Sequence, residues 1–270
     1  MLQKIQETVD FLFPKLPTHP KTGIILGTGL GNLVTQLTET IEIPYNTIPN
    51  FPLSTVEGHS GKLICGKLGG VDVLAMQGRF HYYEGYDMKQ VTFPVRVMKA
   101  LGINTLLVSN ASGGVNPDFK IGDLMIITDH INLFPEHPLR GKNFPELGPR
   151  FLDMSEAYSK ELVQKAKLIA NRNNIKVVEG VYVGTSGPTF ETPAEYRYFR
   201  SIGADAVGMS TVPEVIVANH AGMRCFGISI ITDLGVPGKI VEVTHEEVQQ
   251  IGNSVQPLMT LIMRELIKEI

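Results

Sequence analysis

The chain has 270 residues, 43% hydrophobic and 19% charged, with a formal net charge of −3. This is enough apolar material for a sizeable core and too little charge for disorder; without a Lys/Arg run, a nucleic-acid backbone is not the expected partner. Cys65 and Cys225 stand far apart and form no metal or disulfide motif, the N-terminal MLQKIQETVDFLFPKL lacks a signal-peptide core, and no apolar run approaches a bilayer span, so a cytoplasmic protein without a membrane partner is expected.

The spacing of Ile5, Val9, Leu12 and Phe13 predicts an amphipathic helix over 2–13. Gly23 to Leu26 reads as a short buried strand running into Gly27-Thr28-Gly29-Leu30-Gly31, followed by a helix to about Leu37. A strand, a Gly-rich turn and a helix form a phosphate cradle, because small residues let backbone N–H groups approach an oxyanion. The spacing is G-x-G-x-G, not the G-x-G-x-x-G of a dinucleotide site. Ile48 to His59 carries Pro49, Pro52 and Gly58 and reads as a loop. Lys62–Leu68 and Val71–Met76 flank Gly69-Gly70, a hairpin signal. The second strand delivers Gln77-Gly78-Arg79-Phe80-His81. Alternation puts Arg79 and His81 on one side, where two cationic groups suit a dianion.

A helix is expected over Met88–Leu101 and a buried strand over Asn104–Val108, ending in a Gly/Ser loop at 109–116. Open α/β sheets place ligands at such strand ends. Leu124–Ile131 reads as a strand, and the Pro- and Gly-rich 134–150 as a long loop, either a lid or a subunit contact. A helix over 159–171, a strand over 175–183, a strand over 224–232 and a closing helix over 245–267 complete the order. Glu246 and Glu247 suit the first turn of that last helix. Strands and helices alternate throughout, with no repeat or linker. A single α/β domain over 1–270 with a largely parallel or mixed sheet follows.

The stretch 184–214 concentrates the chemistry. A turn rich in Gly, Ser, Thr and Pro carries Phe190 and Glu191, and Pro193 opens a helix ending near Gly203. A short strand over 205–207 leads to Met209, Ser210 and Thr211, and Pro213 and Glu214 open another helix. The aromatic–acid pair suits a flat hydrogen-bonding ring. The hydroxyl turn at a helix N-terminus suits an anion.

Taken together, GTGLG at 27–31, EGHSGKL at 57–63, QGRFHYYEGY at 77–86, VSNASGGVN at 108–116, GPTFETPAE at 187–195, GADAVGMSTVPEV at 203–215 and THEEV at 244–248 resemble the trimeric-class purine nucleoside phosphorylases, in the family's order and over nearly the whole chain. The resemblance implies an α/β fold with a central mixed β-sheet partly closed into a barrel and flanked by helices, assembled as a homotrimer. It implies phosphorolysis of purine ribo- and deoxyribonucleosides to free base and pentose 1-phosphate, for purine salvage, with phosphate as co-substrate and no metal or other cofactor. Carried over by position, Thr28, His59, Arg79, His81, the Ala111 backbone and Ser210 match the phosphate site, with Thr28 standing where many relatives have Ser. Tyr83, Met209 and His245 match the ribose site, and Phe190, Glu191 and Asp233 the purine site. His81, Glu191 and Asp233 are the expected catalytic groups.

Two departures from the family pattern matter. Asp233 stands where many relatives have Asn, and an ionised Asp accepts where Asn both donates and accepts. Broadened use of adenosine is therefore expected, against Glu191, which suits the N1–H of a 6-oxopurine. Leu147 stands where relatives often lend a Phe to the neighbouring subunit, with Phe144 three residues earlier. The competing activities are a methylthioadenosine phosphorylase, favoured by Asp233 and disfavoured by His245, and a nucleosidase using water, which would not need Arg79, His81 and Ser210 together. A dinucleotide-binding protein is disfavoured by the glycine spacing.

Overall fold

A computed structural model describes residues 1–27, 30–53 and 61–270. Among these residues nine strands form one mixed sheet: β1 (Thr22–Leu26), β2 (Leu37–Pro44), β3 (Lys62–Leu68), β4 (Val71–Gln77), β5 (Thr105–Gly114), β6 (Leu124–Asn132), β7 (Val177–Gly184), β8 (Ala206–Gly208) and β9 (Arg224–Leu234). The order is β2-β3-β4-β1-β5-β8-β7-β6-β9, and β9 also pairs with β5. That last pairing closes β5, β8, β7, β6 and β9 into a barrel, with β4, β1 and the β2/β3 ribbon extending from it. β4, β1, β5 and β9 run parallel, so their carboxyl ends meet at one edge.

Helices cover both faces. α1 (Leu2–Leu12), α3 (Phe93–Ala100) and α6 (Val212–His220) pack on one apolar cluster, and α4 (Lys160–Arg172) and α7 (His245–Lys268) on a second. α5 (Pro193–Ser201) caps a smaller third cluster through Tyr196 and Phe199. Local chemistry marks the helix starts. Thr192 and Thr244 each accept from the backbone N–H three residues on, and Glu195 and Glu247 reach back to the capping residue. No described helix is long and apolar enough to cross a membrane.

Several elements depart from the sequence expectation. The helix expected over 88–101 is broken into a short α2 (Met88–Val91) and α3. Pro94 lacks an N–H and crowds the preceding turn, so the chain restarts at Thr92. The segment after Gly31 is a 3₁₀ turn, Gly31–Gln36, leading into β2, an edge strand absent from the sequence reading. β2 is exposed along most of its length and bulged where Glu39 takes φ 53°. Charge and a bulge together protect an edge from pairing with another chain. Phe13 is half exposed instead of completing the buried face of α1. The loop expected at 109–116 is mostly strand, because β5 pairs with β9 and β8 through Gly114.

Candidate active site

A cavity of about 480 Å³ opens at the shared carboxyl edge of the strands, where ligands of open α/β sheets bind. Arg79, His81, Tyr83, Ala111, Phe190, Glu191, Met209, Ser210, Asp233 and His245 all line it. Those ten come from six separate stretches of sequence. Thr28 and His59, the remaining expected site residues, lie outside the described residues.

One end of the cavity is built to hold an anion. Arg79 leaves β4 and is 1% exposed; its Nε lies 3.3 Å from the equally buried Glu214 of α6. Its Nη1 donates to Ser210 Oγ at 2.6 Å and to Thr211 Oγ1 at 3.3 Å. A guanidinium held by a carboxylate and two hydroxyls keeps one orientation, which is what directional binding of an oxyanion needs. His81 is also buried. Its backbone N–H donates to Glu84 Oε1 at 2.7 Å, and its Nδ1 lies 3.0 Å from that oxygen. An accepting carboxylate oxygen sets Nδ1 as the donor and leaves the lone pair on Nε2. Burial lowers the imidazole pKa, Glu84 opposes the shift, and Arg79 adds to it. A neutral His81 can therefore accept a proton from a phosphate hydroxyl. Tyr83 stacks on the ring at 4.6 Å and 12°, fixing its plane.

The turn that supplies Ser210 is strained. Val212 N–H donates to Ser210 O at 2.7 Å across Thr211, whose φ is 70° and ψ −52°. That is the rarer hand of γ-turn and, for a β-branched residue, costs roughly 1–3 kcal/mol. A buried polar network holds it. Thr211 Oγ1 accepts from Asn110 Nδ2 at 2.8 Å, Ser229 Oγ donates to Asn110 Oδ1 at 2.6 Å, and Ser112 Oγ lies 2.6 Å from Ser229 Oγ. Thr211→Val keeps the shape and removes the acceptor, leaving buried donors on Asn110 and Arg79 without it. The expected loss is about 2 kcal/mol of stability by urea unfolding.

The other end is acidic. Asp233, at the end of β9, faces Gly113 across the β5/β9 pairing, and a Cβ on Gly113 would sit 2.8 Å from Asp233 Oδ2. A glycine at 113 is thus what admits the carboxylate. Thr232 Oγ1 donates to Asp233 Oδ1 at 3.0 Å. Burial raises the Asp233 pKa, partly offset by Thr232 and by the Tyr196 hydroxyl. Burial also pushes Glu191 up to about 7, with Asp233 and Glu195 adding to the rise. Phe190 is 43% exposed beside Glu191, an open aromatic face at the cavity mouth. Tyr83, Met209 and His245 also line the cavity, the last meeting Gln249 Nε2 at 2.9 Å. Among the described residues no cluster of three or more His, Cys, Asp or Glu is arranged to hold a metal ion.

Sequence reasoning missed the groups behind these side chains: Glu84, Asn110, Tyr196 and the pairing of Glu214 with Arg79. Glu214 carried a signal, since a lone carboxylate in the apolar helix VPEVIVANH needs a partner charge once buried. Ser229, inside the apolar run of β9 from Cys225 to Ile231, carried another.

Fold and site together define an α/β protein with a small-molecule cavity that is cationic at one end and acidic at the other. The chain belongs to the phosphorylase superfamily, which it matches over residues 21–268. It is 51% identical to purine nucleoside phosphorylase 1 of Bacillus subtilis over 100% of this chain and 99% of that one. It is 57% identical to purine nucleoside phosphorylase 1 of Geobacillus stearothermophilus over 93% and 92%. The Schistosoma mansoni purine nucleoside phosphorylase in complex with adenosine superposes with a TM-score of 0.94 at 41% identity, covering 99% of this chain and 97% of that one.

Proposed function

We propose that this chain is a purine nucleoside phosphorylase, converting purine ribo- and deoxyribonucleosides and phosphate to free base and pentose 1-phosphate, in purine salvage. The observation that carries this reading is one cavity with Arg79, His81 and Ser210 at one end and Glu191 and Asp233 at the other. The same cavity is lined by Tyr83, Met209 and His245, groups suited to a sugar.

In this reading phosphate is held by Arg79, Ser210, the Ala111 N–H and His81, with Thr28 and His59 completing the set. A phosphate oxygen bonds to C1′ as the C1′–N9 bond breaks, and the bonding pair leaves on the purine. The transition state is oxocarbenium-like, so the anion beneath the sugar and the acid at the base do the electrostatic work. Asp233, whose pKa burial raises, donates in its protonated form towards N7 of the departing purine. Ionised Glu191 accepts from N1–H of a 6-oxopurine and from the 2-amino group of guanine. Neither task calls for a metal or an organic cofactor. Base release from inosine, guanosine and adenosine, each with and without phosphate, tests the assignment. Release only with phosphate is expected; release that ignores phosphate overturns it.

Asp233 broadens the base specificity. Its ionised form accepts from a 6-amino group, and its protonated form donates to N7. Asp233→Asn is expected to lower the adenosine-to-inosine ratio of kcat/KM by about tenfold, the worth of one hydrogen bond. An unchanged ratio removes Asp233 from the specificity argument.

The working assembly is a homotrimer in this reading. Phe151, 90% exposed at the end of the irregular 134–150 segment, is the kind of side chain a subunit contact covers. Light scattering should return three times the 29.7 kDa chain mass.

A further inference from the structure

The buried face of α7 is mostly apolar, with Met259, Ile262, Met263 and Leu266 fully enclosed. Gln256 interrupts it and is only 3% exposed. A buried amide must spend its hydrogen-bonding groups on the protein. Gln256 Nε2 donates to Leu30 O at 2.7 Å, joining α7 to a segment 226 positions earlier. Gln256 does not line the active-site cavity, so any effect it has there runs through Leu30.

Leu30 closes the glycine turn that follows β1. Its N–H donates to Gly27 O at 3.1 Å, and its side chain is fully buried. Gly27, where the turn begins, lines the cavity. β1 runs between β4 and β5, the strands that deliver Arg79 and Ala111. Gly27 also lies hard against β5, where an added Cβ would sit 2.8 Å from Ser109 O. The carbonyl after Leu30 is held as well, since Gln77 Nε2, at the end of β4, donates to Gly31 O at 3.3 Å. A glycine-rich turn samples many backbone conformations unless something fixes it. The Leu30–Gly31 peptide is planar, so holding its carbonyl also sets the direction of the Gly31 N–H. Two side-chain amides thus hold successive peptide planes, and the shorter, more buried contact is that of Gln256.

We propose that Gln256 is a positioning residue for phosphate, holding the glycine turn through Leu30 in the shape that receives the anion. In the phosphorylase reading, on which this rests, that turn brings Thr28 to the phosphate. A turn already ordered costs less to arrange when the anion binds.

Two variants of the full chain test this, each assayed at saturating inosine against varied phosphate. Gln256→Met keeps the length and the packing and removes the donor. Its phosphate KM is expected to rise about tenfold, a change of about 1.4 kcal/mol, with kcat and the inosine KM within about twofold of wild type. Gln256→Glu keeps the size. Its carboxyl donates to Leu30 O when protonated and repels that carbonyl when ionised. The ratio of its phosphate KM to that of wild type is expected to climb as pH rises, whereas a residue that only fills space gives a flat ratio. The Glu variant carries the test if Gln256→Met does not fold. An unchanged phosphate KM in Gln256→Met overturns the role, as does a flat ratio in Gln256→Glu. A fall in kcat with both KM values unchanged also overturns it, because that is loss of folded enzyme. Base release by wild type without phosphate would instead overturn the phosphorylase reading itself.

Discussion

Arg79→Ala is expected to lower kcat/KM for phosphate by about two to three orders of magnitude, and to destabilise the chain as well. Two effects combine. The first is loss of a directed cation at the anion end, where truncating one member of a buried charge pair costs about 2–5 kcal/mol. The second is structural. Glu214, 2% exposed and 3.3 Å from Arg79 Nε, would be left as a buried carboxylate facing no guanidinium. Breaking such a pair costs about 3–5 kcal/mol. The double variant Arg79→Met/Glu214→Gln separates them. It should recover most of the stability, because no charge is left buried, and none of the phosphate affinity. Recovery of both would mean that Arg79 only holds α6 in place.

Glu191→Ala is expected to cut kcat/KM for guanosine by about 10²–10³, since two purine N–H donors lose their acceptor. The pH dependence sharpens the claim. With the carboxyl at about 7, inosine kcat/KM should fall as pH drops below 7, because N1–H needs the ionised form. The protonated form instead donates to the N1 lone pair of adenine. The adenosine-to-inosine ratio should therefore rise towards acid pH in the wild type and stay flat in Glu191→Gln. Stability moves with the same titration. The folded pKa lies above the ordinary 4.5, so the folded state holds the proton more tightly. Stability is then lost as pH rises from about 4.5 through 7, by about 3 kcal/mol in all. Glu191→Gln should be the more stable protein at pH 8 and equal to wild type near pH 4. Urea unfolding at those two values decides it.

Much of this site is legible in sequence because its chemistry sits in short, dense motifs. Arg79 and His81 alternate at the end of a hairpin strand that Gly69-Gly70 announces, with φ of 60° and 88° at the turn. Phe190 and Glu191 directly precede one proline-started helix, and Ser210 directly precedes the next. What escapes is whatever depends on a distant partner. The Ser/Gly composition of 109–114 argues for a loop by propensity, yet β9 and β8 recruit it into the sheet. Its small residues serve the cavity instead, Gly113 by admitting Asp233. Asn110 looks like a loop residue until Ser229, 119 positions away, donates to it. The unusual backbone at Thr211 has no local signature, since a β-branched residue is a poor candidate for positive φ. The break at Thr92 was readable, because Pro94 sits inside the apolar spacing that suggested one helix.

In this reading an anion bound by Arg79, His81 and Ser210 is the nucleophile. The most direct measurement is the fate of the sugar, followed by phosphorus NMR during turnover of inosine in phosphate. Pentose 1-phosphate is expected, formed in step with hypoxanthine and with inversion at C1′. Free pentose accumulating in its place, with the phosphate resonance unchanged, would contradict it.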